Sequence, residues 1–248
     1  MLLKISIITA TYNSASTISD TLQSVASQTY PNIEHIIVDG LSSDNTLQIV
    51  KNFPHISKVI SEKDKGIYDA MNKGIALATG DLIGILNSDD FYTNYEVLSQ
   101  VITSINNPTF DGCYADLNYV HPLHTSKIMR KWRSGSVNSK SFLLGWMPPH
   151  PTVFLKKDIY QKFGTFNTAL RSSADYELML RLIVKHHIKL AYLPKTIVSM
   201  RTGGQSNATF NNRIKAHKED KIAWQINNLK PYFFTLYLKP LRKIFQFI

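Results

Sequence analysis

The sequence predicts an α/β protein: a mostly parallel sheet with helices on both faces, continued by a half of α+β character and a C-terminal helical tail. Two observations carry this prediction. From Lys4 to about Ile105, short β-branched apolar runs alternate with segments whose apolar residues recur at helical spacing, a pattern that packs as strands sandwiched between helices. The run Leu82, Ile83, Ile85 and Leu86 is nearly continuous, as in a strand buried on both faces, and it stops on Asn87-Ser88-Asp89-Asp90. With 248 residues and 44% hydrophobic content the chain can bury a full core, in one large or two small domains.

Lys4 to Thr9 alternates as a strand, and Ser14 or Ser16 is placed to cap a helix carrying Ile18, Leu22 and Val25. Pro31 marks a turn before a second strand, His35 to Val38, which ends in Asp39-Gly40. Ser43 and Asp44 then precede a helix over Leu47 to Val50. After the third strand, Lys58 to Ser61, a helix places Ile67, Ala70, Met71, Gly74 and Ala78 on one face, with Gly80 suited to its C-terminal cap. Leu82 to Leu86 is the fourth strand, and a helix from about Asn94 turns Val97, Leu98, Val101, Ile102 and Ile105 inward. Beyond Pro108 the pattern changes. Asp111 to Ala115 and Ser126 to Trp132 read as strands, and Met147-Pro-Pro-His-Pro as a rigid loop. Thr152 to Lys156 is extended, Phe163-Gly164 ends a short helix, Asp175 to Lys185 is an amphipathic helix, Leu190 to Met200 the last strand, and Asn211 to Asn227 a charged helix. The expected division is 1–110, 111–205 and a tail at 206–248.

Charge is distributed unevenly along the chain. Residues 1–110 carry six lysines and no arginine against eleven acids, a net −5, whereas the remainder carries 22 basic against seven acidic residues, a net +15. An acidic half joined to a basic half points to catalysis in the first and an anionic partner for the second. A nucleic-acid-binding module is the rival reading of the overall pI of 9.5. The acidic half opposes it, and no helix-turn-helix, RNA-binding aromatic strand or zinc spacing is present. The single cysteine, Cys113, excludes an internal disulfide and a thiolate zinc cluster and suits a reducing compartment, so the cytosol is expected. Lys4 interrupts the apolar start and no cleavage site follows, so neither a signal peptide nor a spanning helix is expected.

Open α/β sheets bind ligands at the carboxyl ends of their strands. Adjacent Asp89 and Asp90 at such an end repel unless a cation or a shared proton relieves them, and a divalent metal does so most simply. Taken alone, the same four residues would also serve as turn and cap residues.

Five segments in register carry a resemblance: Ser-Ile-Ile-Thr-Ala-Thr-Tyr-Asn from Ser6, Ile-Val-Asp-Gly-Leu-Ser-Ser-Asp-Asn-Thr from Ile37, Gly-Ile-Tyr-Asp-Ala-Met-Asn-Lys-Gly from Gly66, Asn-Ser-Asp-Asp from Asn87, and Ala-Asp-Tyr-Glu from Ala174. Together they resemble the family 2 glycosyltransferases, and among them the bacterial O-antigen, capsule and colanic-acid branch. The resemblance implies a GT-A fold that transfers a sugar, with inversion, from a nucleotide diphosphate donor to an acceptor hydroxyl, UDP being the preferred nucleotide. A metal-dependent nucleotidyltransferase is the closest enzymatic alternative. For the donor, the resemblance implies a lip formed by Thr9, Thr11, Tyr12 and Asp39, with Tyr12 stacking on the base and Asp39 accepting from the base or ribose. Asp64 and Asn72 border the pocket, and Lys65 or Lys73 meets phosphate. Asn87, Ser88, Asp89 and Asp90 occupy the place of the family's Asp-x-Asp, with Asn87 departing from the first Asp and with Asp89 and Asp90 sharing Mg²⁺ or Mn²⁺. Asp175 matches the acceptor-side base. Glu177 stands beside it, and His150, Arg201 and Gln205 match positions near diphosphate or acceptor. Asp44 is expected as a helix cap.

The tail carries eight basic against two acidic residues and many large apolar ones, among them Phe233, Phe234, Leu236, Tyr237, Leu241, Ile244, Phe245 and Phe247. This composition suits docking on an anionic membrane surface, the alternative being that the tail packs on the catalytic domain or in a dimer. The acceptor implied by the resemblance is a polyprenyl-diphosphate-linked glycan at the cytoplasmic leaflet, which would make the protein peripheral on the inner face of the plasma membrane.

Overall fold

Four parallel strands, β1 (Ile5–Thr11), β2 (Ile33–Asp39), β3 (Ile56–Ser61) and β4 (Leu82–Ile85), stand side by side in the order β3-β2-β1-β4. They belong to a computed structural model that describes residues 2–138, 140–203, 210–242 and 246. Between these strands run α1 (Ile18–Ala26), α2 (Thr46–Val50) and α3 (Ile67–Leu77). Strand alternation sorts the apolar residues to the two faces. Ile8, Ala10, Ile36 and Val38 pack with Ala70, Met71 and Ile75 of α3. Ile5 and Ile7 pack instead with Val25 of α1 and with Val97, Leu98 and Val101 of α4 (Val97–Ser104). The expected helices on both faces are therefore present, each facing a different register of the same strands.

The sheet continues beyond β4 into the second half. A two-residue strand β5 (Phe91–Tyr92) precedes α4, and after it come β6 (Gly112–Val120), β7 (Ile128–Trp132), β8 (Phe154–Lys156) and β9 (Leu190–Arg201). β8 pairs antiparallel with β4, β6 antiparallel with β8, and β9 parallel with β6, while β7 hangs on the outer part of β6 and β5 closes the far edge on β9. One sheet thus runs through both halves, with β7 attached to it through β6. Helices α5 (Lys157–Phe163), α6 (Ala174–Met179), α7 (Phe210–Ile226) and α8 (Thr235–Leu241) complete the chain.

Several local expectations are corrected. Neither Ser14 nor Ser16 caps α1, which starts after Thr17. Ser14 instead shares a 2.8 Å hydroxyl contact with Ser88. Gly80 is not a left-handed cap: a Cβ there would lie 2.7 Å from the Ser6 backbone nitrogen, so glycine is required by close approach to β1. Ile67 is about half exposed (48%) instead of buried, and it borders an open cavity. The 175–185 helix is interrupted, passing at Leu180–Lys185 into a wider π-type turn. His150–Thr152 forms a single 3₁₀ turn inside the proline-rich loop. Strand β5 escaped the sequence reading because two residues cannot display a period. Among the described residues no helix is long and apolar enough to cross a membrane.

Candidate active site

At the carboxyl ends of β1 and β2, Asp39 is fully buried and accepts bonds from the Ser42 amide (3.0 Å), the Ser61 hydroxyl (2.6 Å) and the Ser42 hydroxyl. Its carboxylate braces the turn that follows. Gly40 lies between Tyr12 and Asp64, since a Cβ would meet Asp64 Oδ2 at 3.0 Å and Tyr12 Cδ2 at 3.4 Å. Tyr12 is 62% exposed, leaving its ring available for stacking. Thr11 is buried with an unpartnered hydroxyl, whereas Thr9 is fully buried and bonded to His35 Nε2 at 3.1 Å, out of reach of any ligand. Asp44 accepts from the amides of Ala15 and Thr46, both at 3.0 Å, and so ties the turn before α1 to the start of α2, but the residue at the expected cap position of α2 is Asn45.

Two further expectations shift. Lys73 donates to Asp64 (2.6 Å) and lies 2.9 Å from Glu62, and these bonds hold its ammonium well above the usual lysine range. It is committed to carboxylates, not to phosphate. Lys65 is exposed, and its amide donates to Asp69 at 3.0 Å. Asn72 grips the backbone of Phe166 with both amide atoms, at 2.9 Å each, so it joins α3 to the 164–170 loop instead of facing a nucleotide.

The loop after β4 is held on every side. Thr17 and Thr21 donate to the carbonyls of Ser88 (3.0 Å) and Asp90 (2.6 Å). Arg201, at the end of β9, donates to the Asp89 carbonyl (2.6 Å) and pairs with Asp20. Asn87 donates to Asp90 Oδ2 at 2.9 Å, and the Asn87 amide oxygen and the other Asp90 carboxylate oxygen are buried without a partner. Asp90 is fully buried; burial first, and then the neighbouring Asp89 charge, raise its carboxyl well above the usual range. Asp89 is only partly covered and less perturbed, raised by burial and opposed by Arg201. The expectation that the two aspartates share a metal is therefore corrected in geometry: Asp90 is sequestered behind Asn87, and Asp89 alone reaches the surface of the loop. Among the described residues no three His, Cys, Asp or Glu side chains converge as a metal cage. One accessible carboxylate with an orphaned amide oxygen nearby still suits Mg²⁺ or Mn²⁺, which take few protein ligands and complete their shell with water and substrate phosphate.

A cavity of about 730 Å³ opens beside this loop, and Asn87, Tyr68, His150 and Asp175 all line it. Asp175 stands in the first turn of α6 and accepts a 3.1 Å bond from the Tyr68 hydroxyl. The Tyr68 ring stacks on Phe166, and burial together with the Asp175 charge pushes its hydroxyl well above the usual tyrosine range, so that it stays a donor. Burial lowers His150, against the opposing pull of Asp175, which favours a neutral ring at pH 7. Glu177 faces away from this chemistry: it is buried against Arg181 (2.8 Å) and Asn227 (2.9 Å) as a core ion pair. Gln205 lies outside the described residues.

Two site residues were missed from sequence. Tyr68 sits inside a segment already singled out, but only the fold brings it to Asp175. Glu219 of α7 accepts from the amides of Ser172 (2.7 Å) and Ser173 (2.9 Å), bracing the start of α6, and in sequence it is one acid in a charged helix.

Comparison with known proteins agrees with this architecture. The sequence pattern of glycosyl transferase family 2 matches residues 6–176. The chain is 30% identical over 207 residues to a PGL/p-HBAD biosynthesis glycosyltransferase of Mycobacterium tuberculosis, covering 82% of this chain and 78% of that protein. It is 39% identical over 100 residues, 39% of each chain, to the Escherichia coli UDP-Glc:alpha-D-GlcNAc-diphosphoundecaprenol beta-1,3-glucosyltransferase WfaP. Among solved structures, residues 1–349 of TarS from S. aureus superpose with a TM-score of 0.69 at 20% identity, over 97% of this chain and 71% of that one. This chain covers 41% of the longer TarS structure. The mannosyltransferase PcManGT of Pyrobaculum calidifontis, in complex with GDP-Man and Mn²⁺, gives 0.67 at 17% identity, over 96% and 69%. The sheet with its strand-end carboxylates and the match over most of the chain lead to one assignment: the protein belongs to glycosyl transferase family 2 and has the GT-A fold.

Proposed function

We propose that this glycosyltransferase moves a sugar from a UDP-sugar to an acceptor hydroxyl in a single inverting displacement, with Asp175 as the general base. The observation that carries the reading is the cavity, which is lined both by Asn87 of the carboxylate loop and by Asp175. A base must stand across the reacting carbon from the leaving group, and it must come from a distant part of the chain. Tyr12, exposed at the lip, stacks on the base of the nucleotide, and Asp39 stiffens the turn beneath it. Asp89 and Asn87 would hold a divalent cation, whose charge offsets that of the departing diphosphate. Tyr68 fixes the Asp175 carboxylate, and the acceptor hydroxyl loses its proton to that carboxylate as its oxygen forms the new bond. TarS has been solved with UDP and with UDP-GlcNAc, and the acceptor in the name of WfaP is lipid-linked, which supports a UDP donor and a lipid-linked acceptor here.

A role in surface polysaccharide assembly on the inner face of the plasma membrane follows from the same reading. The tail supports it: Phe233 is 90% exposed, and Tyr232, Tyr237 and Leu241 are also exposed, while Thr235 anchors α8 to the Leu143 carbonyl. Ile244, Phe245 and Phe247 lie outside the described residues. Screening UDP-sugars for Mn²⁺-dependent hydrolysis and thermal stabilisation tests the donor; no response to any nucleotide sugar would refute the transferase. A β-glycoside from an α-linked donor is expected, and a retained anomer would refute single displacement. Phe233→Glu with Tyr237→Glu should abolish sedimentation with phosphatidylglycerol vesicles, and unchanged sedimentation would refute the docking face.

A further inference from the structure

Asp175 stands at the start of an element with little local support. Residues 164–173, between α5 and α6, form no helix or strand, and α6 itself runs for six residues. A helix start leaves backbone amides without intrahelical partners, and a serine placed before it commonly accepts from one of them. Ser173 holds that place but makes no such cap, because its hydroxyl donates to the Ala216 carbonyl of α7 at 3.1 Å. Glu219, also on α7, supplies an acceptor from outside. It accepts from three consecutive amides, those of Arg171 (3.2 Å), Ser172 (2.7 Å) and Ser173 (2.9 Å).

Ala216, Glu219, Trp224 and Asn227 share one face of α7, and that face follows α6. Trp224 donates to the Tyr176 hydroxyl at 2.8 Å and Asn227 to Glu177 at 2.9 Å. Those two bonds hold side chains, whereas Glu219 holds the main chain just ahead of Asp175. Ser172, Ser173, Asp175 and Ala216 all line the cavity, so this junction borders the site. Burial first, then the Asp175 charge and also the Glu219 charge, raise the Tyr68 hydroxyl well above the usual range, so Glu219 stands near enough to act on the pair that Tyr68 and Asp175 form. The family pattern ends at residue 176, and α7 lies beyond the residues it matches.

We propose that Glu219 is a positioning residue for the reaction: by fixing the main chain of 171–173 it sets where the Asp175 carboxylate stands for proton transfer. This rests on the base reading above and extends the catalytic machinery to a helix outside the family pattern. A general base must lie within hydrogen-bond reach of the proton it takes, and a displacement of about 1 Å costs about 10²-fold in rate. Tyr68 restrains one carboxylate oxygen but not the main chain that carries it. A cap made by the segment itself would move with the segment. The cap from α7 does not, because α7 is tied separately through Asp220 to Lys239 of α8, at 2.7 and 2.8 Å.

The test uses the full chain, with turnover read as Mn²⁺-dependent hydrolysis of the UDP-sugar that the screen above selects, and UDP affinity read by calorimetry. Glu219→Ala should lower kcat at least about tenfold at unchanged UDP affinity and donor KM, and should speed amide hydrogen exchange in 171–176 at least about tenfold. Glu219→Gln retains an oxygen for the Ser172 and Ser173 amides and should stay within about threefold of wild type in both readouts. In the Asp175→Asn background Glu219→Ala should lower kcat no further, because the two residues act as a unit. Asn227→Ala, which loosens α7 at Glu177 instead, should lower the melting temperature at a normal kcat. A wild-type kcat in Glu219→Ala with quickened exchange would overturn the proposal and leave Glu219 a purely structural brace. Wild-type exchange, or a further loss of kcat in the Asp175→Asn background, would also overturn it. Should Glu219→Ala not fold, Glu219→Asp decides: its carboxylate is withdrawn by one methylene, kcat should fall about threefold or more, and a normal kcat would overturn the role. A normal rate in Asp175→Asn alone would instead strike the base reading, and the positioning role with it, whatever Glu219→Ala does.

Discussion

The Tyr68 hydroxyl donates to Asp175 at 3.1 Å across 107 residues of chain, so that the third helix orients the carboxylate of the sixth. Losing a hydrogen bond to a charged group costs about 1.5 to 3 kcal/mol. Tyr68→Phe should therefore lower kcat by about tenfold or more while leaving UDP affinity alone. Asp175→Asn should lower kcat by about 10²- to 10⁴-fold, also without changing UDP affinity. Steady-state kinetics with calorimetry for UDP separates these effects, and a normal rate in Asp175→Asn would remove it as the base.

The two aspartates after β4 should respond differently to substitution. Asp89→Ala should abolish the metal dependence of UDP binding at an unchanged melting temperature, because Asp89 is partly exposed and its carboxylate makes no hydrogen bond or ion pair among the described residues. Asp90→Ala should lower the melting temperature, since the buried carboxyl receives the Asn87 amide and its loss opens the loop. Calorimetry in Mg²⁺ and in EDTA, beside thermal unfolding, checks both. The reverse pattern would assign the metal to Asp90.

Glu177 should act on stability alone. Its carboxylate neutralises Arg181, whose guanidinium also donates to the carbonyls of Phe163 and Thr165 (2.7 Å). Breaking a buried pair from one side leaves a charge uncompensated and costs about 3 kcal/mol or more. Glu177→Ala should show this in chemical denaturation, with kcat of the folded fraction near normal. A large loss of kcat without loss of stability would return Glu177 to the active site.

His35 predicts an acid-sensitive core. It is fully buried between Thr9 and His55 (3.0 Å), and burial, then the His55 charge, push it down to about 3. Because its folded value lies below the unfolded value of about 6.5, the unfolded chain takes up the proton first. Its contribution is complete above about pH 6.5 and declines by about 1.4 kcal/mol per pH unit as the pH falls toward 3. His35→Gln should flatten the pH dependence of unfolding between pH 7 and 5, by about 2 kcal/mol relative to wild type. An identical dependence in both proteins would show that His35 does not set it.

Much of the first half was legible in the sequence because its signals are local. Alternating apolar runs and helical spacing specify which face of each element is buried, and β1 to β4 with their helices lie within a few residues of where those periods place them. The carboxylates of Asp39 and Asp89 were legible as strand-end acids for the same reason.

Tertiary structure decided whatever depends on residues far apart in the chain. Thr9, Asn72, Lys73, Glu177 and Asp90 have residue types that suit a ligand, and the fold engages each with a protein partner or buries it. Conversely, Tyr68 reaches Asp175 only because α3 and α6 meet in the fold, and Glu219 braces the start of α6 only because α7 packs beside it. A side chain's type and spacing state what it can bind. Whether it faces a ligand or another residue of its own chain is a property of the packed whole, because burial and hydrogen-bond satisfaction are settled between elements and not within them.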